Sequence, residues 1–138
     1  MQVLYSKRAD LTPAFALIAE GWNDLVQSGL SPEGRGYCPV KPSTEVFYAE
    51  REDKEIVGVL CFDRDGDRWQ VCLAYVEPTS RKQGAFRSMW KSLVAFATKQ
   101  EAASIILSQH VDNEAMEAVM AKIGLQPAAI TYEAILAA

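Results

Sequence analysis

Residues 71–94 hold the densest chemical signal in the chain. Val71-Cys72-Leu73-Ala74-Tyr75-Val76 is apolar without a break and reads as a buried strand. Glu77-Pro78-Thr79-Ser80 interrupts it. Arg81-Lys82-Gln83-Gly84-Ala85-Phe86 follows and leads into a helical pattern from Phe86 onward. A strand, a short basic turn with one glycine and a helix start together make an anion cradle. The first amides of a helix have no partner within it, and the helix dipole favours negative charge there. Chemically, this is a seat for a pyrophosphate. Its donors are the amides over Gln83, Gly84, Ala85 and Phe86, with Arg81, Lys82 and Arg87 adding positive charge. A solvated basic turn is the plainer reading of those three cations.

The elements that must position this turn can be followed along the chain. Residues 2–6 read as a first strand. Thr12-Pro13 reads as a helix start, with threonine as N-cap and proline at the first helical position. Phe15, Ile18, Trp22, Leu25 and Val26 recur at helical spacing, and Gly29 ends the helix. Residues 30–44, with Ser31, Pro32, Gly34, Gly36, Pro39, Pro42 and Ser43, form a long irregular loop, of a length that is usually functional or disordered. Strands are expected over 45–50, 55–62 and 68–76, the last two joined by an Asp65-Gly66 hairpin turn. A helix from about Gly84 to Gln100 presents Phe86, Trp90, Leu93 and Ala97. Residues 104–108 form a strand. Asp112 or Asn113 caps a further helix whose apolar face is Met116, Val119, Met120 and Ile123, with Gly124 as its left-handed C-terminal cap. Residues 129–136 complete the pattern as a final strand.

With 138 residues, one domain over 1–138 is expected, and a composition of 49% hydrophobic and 23% charged residues is that of a soluble globular protein. A net charge of −4 argues against bulk nucleic-acid binding and favours cationic substrates. No apolar run is long enough to span a membrane, and residues 1–8 lack the order of a signal peptide, so a cytoplasmic protein without a membrane partner is expected. Cys38, Cys61 and Cys72 show no C-x-x-C spacing, and Cys61 and Cys72, in apolar strand patterns, read as buried free thiols. A zinc site is not expected with His110 as the one histidine.

The order of elements and the 71–94 stretch resemble the GNAT superfamily of acyl-CoA-dependent N-acetyltransferases, over essentially the whole chain. The cofactor motif of that family is Q/R-x-x-G-x-G/A. Arg81 and Gly84 match it, while Phe86 stands where a small residue is usual. Near the C-terminus, Asn113 and Gly124-Leu125 match a second pattern, but Met120 replaces a tyrosine that often protonates the leaving thiolate. Methionine has no proton to give. Gln70 stands where the histone-acetylating branch carries a glutamate base.

The resemblance implies an α+β fold: a central mixed, mostly antiparallel sheet of about six or seven strands flanked by helices. It implies acetyl-CoA as acyl donor and an amine-bearing acceptor, small molecule or protein, held by the 30–44 loop and the first helix. It also implies a splayed strand whose free backbone at Ala74, Tyr75 and Val76 pairs with the pantetheine arm and the thioester oxygen. One such donor is worth ~3 kcal/mol in the transition state. Asn113 would bond the pantetheine arm; its plainer reading is a helix cap worth ~1 kcal/mol. The amine's proton has candidate acceptors in Glu77, Glu20, Glu45 and His110, or leaves through water. Tyr75, Ser108 and Tyr132 are candidate donors to the thiolate. For Glu45 and His110, plain surface is the competing reading. The competing functions are a GNAT-fold module that binds acyl-CoA or a protein without turnover, and a phosphate-binding turn for nucleic acid. The state of the chain is expected to be monomer or homodimer, the last strand offering an edge to a partner.

Overall fold

A computed structural model describes residues 1–31 and 36–136. Pro32 and Gly34, two of the turn formers noted in the 30–44 loop, lie outside the described residues. The elements run β1 (Gln2–Ser6), α1 (Phe15–Gln27), β2 (Glu45–Glu50), β3 (Ile56–Asp65), β4 (Arg68–Val76), α2 (Ala85–Lys99), β5 (Ser104–Leu107) and α3 (Glu114–Lys122). One sheet takes the strands in the order β1-β2-β3-β4-β5. The first three pairings are antiparallel and β4–β5 is parallel, so the sheet is mixed as expected.

The described sheet has five strands, fewer than the six or seven expected. The difference is residues 129–136, which form no strand and stay exposed, with Ile130 76% and Leu136 96% accessible. Their alternating apolar pattern suits a strand, but a strand needs a neighbour, and none pairs with them among the described residues.

Each face of the sheet carries its own core. Ala85, Met89, Trp90, Leu93 and Ala97 of α2 pack with Phe47, Leu60 and Phe62 on one face. Leu17, Ile18 and Trp22 of α1 pack with Val46, Val59 and Cys61 on the other. The face of α1 is rotated from the expected one: Leu17 and Gly21 are buried, whereas Phe15 is 40% exposed. Thr12 is not the N-cap expected: α1 starts at Phe15 with Ala14 at the cap position, and the Thr12 hydroxyl accepts from Ala14 N at 3.0 Å in the turn before it. Gly124 ends α3 as expected, with φ of 82°. Its N–H bonds Ala121 O at 3.2 Å, and Leu125 N bonds Met120 O at 3.0 Å, the Schellman arrangement. No described helix is long and apolar enough to cross a membrane.

A bulge organises β4. Cys61 pairs with Leu73 and Phe62 with Val71, leaving Cys72 as the extra residue. Side chains alternate along a strand, so one extra residue reverses the faces beyond it. Trp69 and Val71 therefore face α2, whereas Leu73 and Tyr75 face α1. The unbroken apolar run from 71 to 76 is the record of a strand covered on both faces.

Candidate active site

Pairing between β4 and β5 stops at Val71↔Leu107, one residue before the bulge. Beyond it, Cys72–Val76 keep β3 on one edge and, among the described residues, have no strand on the other. β5 ends at Leu107, so the stretch that carries Ala74, Tyr75 and Val76 runs on past it.

The turn after β4 presents its amides. Pro78–Ser80 form one 3-10 turn, which Glu77 begins by donating its N–H to Val57 O at 2.8 Å. Lys82 and Gly84 then adopt positive φ, 64° and 86°, and α2 starts at Ala85. Glycine reaches this region without a Cβ penalty. From Gly84 through Arg87, no backbone N–H has an acceptor among the described residues, while the Arg81–Lys82 turn closes on Gln83; the helix ladder opens with Ser88 N to Gly84 O at 3.0 Å. No acidic residue lies in the first turn of α2, and a Cβ on Gly84 would meet nothing within 4 Å. Consecutive free amides, a helix dipole and two exposed cations, Lys82 and Arg87, converge on open space. Phe86, the departure from the family motif, turns away: its ring stacks on Trp90 at 6.4 Å and packs against the α2-side core.

Arg81 is not aimed outward. Its Nε donates to Val76 O at 2.9 Å, and its guanidinium lies 5.4 Å from the centroid of the Tyr75 ring. Tyr75 in turn donates its hydroxyl to Asp24 Oδ2 at 2.6 Å. Burial, then this carboxylate, push the phenol up to about 12. A phenol that holds its proton so tightly is a poor donor to a thiolate.

Glu77, His110 and Glu45 are also engaged, whereas Glu20 lies exposed on α1. The Glu77 carboxylate accepts from the Thr79 hydroxyl. His110 accepts from Asp112 N through Nδ1 at 3.1 Å. In the neutral ring the proton then sits on Nε2, which makes the free nitrogen a donor rather than a base. Glu45 lies at the far end of the sheet, bound by Arg64 Nε at 2.6 Å. Tyr132 lies in the exposed tail, 87% accessible. Asn113 caps α3, its Oδ1 accepting from Met116 N at 3.1 Å, which leaves its amide nitrogen free. Met120 is half-buried in α3, and Gln70 is exposed.

Asp24 escaped the sequence reading because an acid on the polar side of an amphipathic helix looks like plain surface. The available signal was Gly21, a glycine inside a helix, which marks close approach. A Cβ there would come within 2.5 Å of Tyr75 Cγ.

A mixed sheet in which β4 runs past its parallel neighbour β5 into a turn and a helix start fits the architecture of N-acetyltransferases. The sequence pattern of the acetyltransferase (GNAT) family matches residues 14–125, and the chain belongs to that family. Solved structures share its fold at low identity. A mutant of the BH1408 protein from Bacillus halodurans superposes with a TM-score of 0.75 at 15% identity, over 99% of this chain and 100% of that one. An aminoglycoside acetyltransferase from an uncultured soil metagenomic sample gives 0.70 at 16%, over 99% and 98%. A ribosomal-protein-alanine N-acetyltransferase from Brucella melitensis gives 0.66 at 17%, over 98% and 99%. At such identities the likeness is one of fold. No curated protein matches the chain in sequence.

Proposed function

We propose that the chain is an N-acyltransferase that moves an acetyl group from acetyl-CoA directly to a primary amine. The observation that carries this reading is the run of free amides from Gly84 through Arg87 beside the edge of β4 that β5 leaves unpaired. In this reading the pyrophosphate sits on the amides of Gln83, Gly84, Ala85 and Phe86, with Lys82 and Arg87 adding charge. The pantetheine arm lies along Ala74–Val76, where a backbone N–H polarises the thioester carbonyl. The amide nitrogen of Asn113, free of its capping role, bonds the same arm. The amine attacks the carbonyl carbon, a C–N bond forms, the C–S bond breaks, and the thiolate leaves. In this reading water takes the amine's proton and supplies the one for sulfur, and positioning provides the acceleration.

The acidic balance of the chain favours a cationic acceptor. The related folds named above act on an aminoglycoside and on a ribosomal-protein alanine, so the scaffold alone does not choose between small molecule and protein. Calorimetric titration with acetyl-CoA tests the donor half. Micromolar binding that Gly84→Asp abolishes supports it; no binding by folded wild-type protein removes it. Thiol release with a panel of amines tests the acceptor half.

A second reading, a module that binds acyl-CoA without turnover, is favoured by Met120 and by the engaged state of Glu77 and Tyr75. Binding without thiol release across the panel would select it.

A further inference from the structure

Past Val71, β4 has, among the described residues, a strand on only one edge. Half of its ladder is missing there, and a segment with few backbone bonds needs some other constraint to keep one shape. Tyr75 receives that constraint from two directions. On the α1 side its ring lies on Gly21 so closely that a Cβ would come within 2.5 Å of Cγ, and its hydroxyl bonds Asp24 Oδ2 at 2.6 Å. On the cradle side Arg81 covers the ring at 5.4 Å and binds Val76 O at 2.9 Å. An exposed acid on α1 is thus linked to the first residue of the cradle through a tyrosine that is 5% exposed. Glu20, one turn before Asp24, and Arg81 are the other charged groups near the hydroxyl.

We propose that Asp24 is a positioning residue of the acyl-donor site: acting through the Tyr75 hydroxyl, it fixes the Ala74–Val76 backbone on which the thioester and pantetheine arm lie. This rests on the donor reading above. The proton of Tyr75 stays on the phenol, shared with the Asp24 carboxylate, so the pair orients and does not exchange protons with the substrate. The apolar face of α1 keeps the helix docked without Asp24, which confines its contribution to the aim of β4.

The test is acetyl-CoA titration of the full chain with Asp24→Ala, Asp24→Asn, Tyr75→Phe and the Asp24→Ala/Tyr75→Phe double variant. Asp24→Ala and Tyr75→Phe should each weaken binding about tenfold, the scale of one charge-assisted hydrogen bond. The double variant should bind no worse than either single one, because both remove the same contact. Asp24→Asn should stay within about twofold of wild type, since its amide oxygen still accepts. Tyr75→Phe keeps the ring packed and serves if Asp24→Ala does not fold. Wild-type affinity in both single variants, or losses that add in the double, would overturn the proposal. The donor reading fails differently, by absence of binding in wild type or by indifference to Gly84→Asp.

Discussion

The two ends of the sheet treat their polar groups in opposite ways. At the end where β2 begins, Glu45 is bound by Arg64 through Nε at 2.6 Å and through a terminal nitrogen at 2.8 Å, and it also accepts from the Tyr5 hydroxyl. Arg64 lies 4.5 Å over Trp69 and 5.2 Å over Phe96. Phe47, Phe62, Trp69 and Phe96 enclose the group in mutual contacts. At the end where β4 finishes, an edge is unpaired and a run of amides has no acceptor. The closed end spends its donors and acceptors on one another and contributes stability. The open end keeps its donors aligned and unused, which costs stability and leaves them for a ligand. A buried acid such as Glu45 looks functional by residue type, and its partners show it to be structural.

Substitutions can break this division. The largest effect is expected from Gly84→Asp, which sets a carboxylate among the free amides. Acetyl-CoA affinity should fall about hundredfold or more, with little change in melting temperature because Asp tolerates the left-handed region. Glu45→Ala should do the reverse. It leaves Arg64 unpaired over aromatic rings, at a cost of about 3 kcal/mol in denaturant unfolding, the low end for a broken buried pair because Arg64 is 38% exposed. Donor affinity should be unchanged, and a change there would mean that the ends are not independent. Gly21→Ala should lower stability by about 2 kcal/mol through overpacking on Tyr75, and weaken acetyl-CoA binding as well, since it moves the same strand. Asn113→Ala should cost about 1 kcal/mol as a lost cap. A loss of donor affinity larger than that of stability would add the pantetheine role.

The smallest effect expected is in pH. Burial and carboxylate acceptors push Tyr75 and Tyr5 up to about 12 from 10.0, and burial pushes Cys72 up to about 12 from 9.0. A group that holds its proton more tightly when folded stabilises below its unfolded pKa, and that contribution is lost as pH rises towards the folded value. Melting temperature should therefore be level with respect to these groups below pH 9.0 and decline from there towards about 12. Tyr75→Phe should make the decline shallower; an unchanged slope would remove Tyr75 from it.

Much of the fold was legible because much of it is local. The β3–β4 turn follows from Asp65-Gly66, with Gly66 at φ 61°. The α3 caps follow from Asn113 and Gly124, and the cradle from a strand, a glycine turn and a helix start within sixteen residues, 71–86. Phe86 and Trp90 fall four positions apart on the expected apolar face of α2, and their rings do stack. Misreadings arose where a pattern admits two placements. Phe15 and Leu17 both fit an apolar stripe on α1, and packing chose Leu17. Residues 129–136 alternate as a strand should, yet a period-2 pattern carries no information about whether a neighbour is present.

The sequence by itself therefore determined the family and the place of the glycine turn that opens α2, because backbone conformation over a few residues follows from the residues themselves. Tertiary structure decided what lies around that turn. The Cys72 bulge turns Tyr75 to α1, Asp24 meets it across 51 residues of chain, and Arg81 folds back on Val76 instead of pointing outward. Each of these depends on strand register and helix placement, which many side chains fix jointly and no local spacing records.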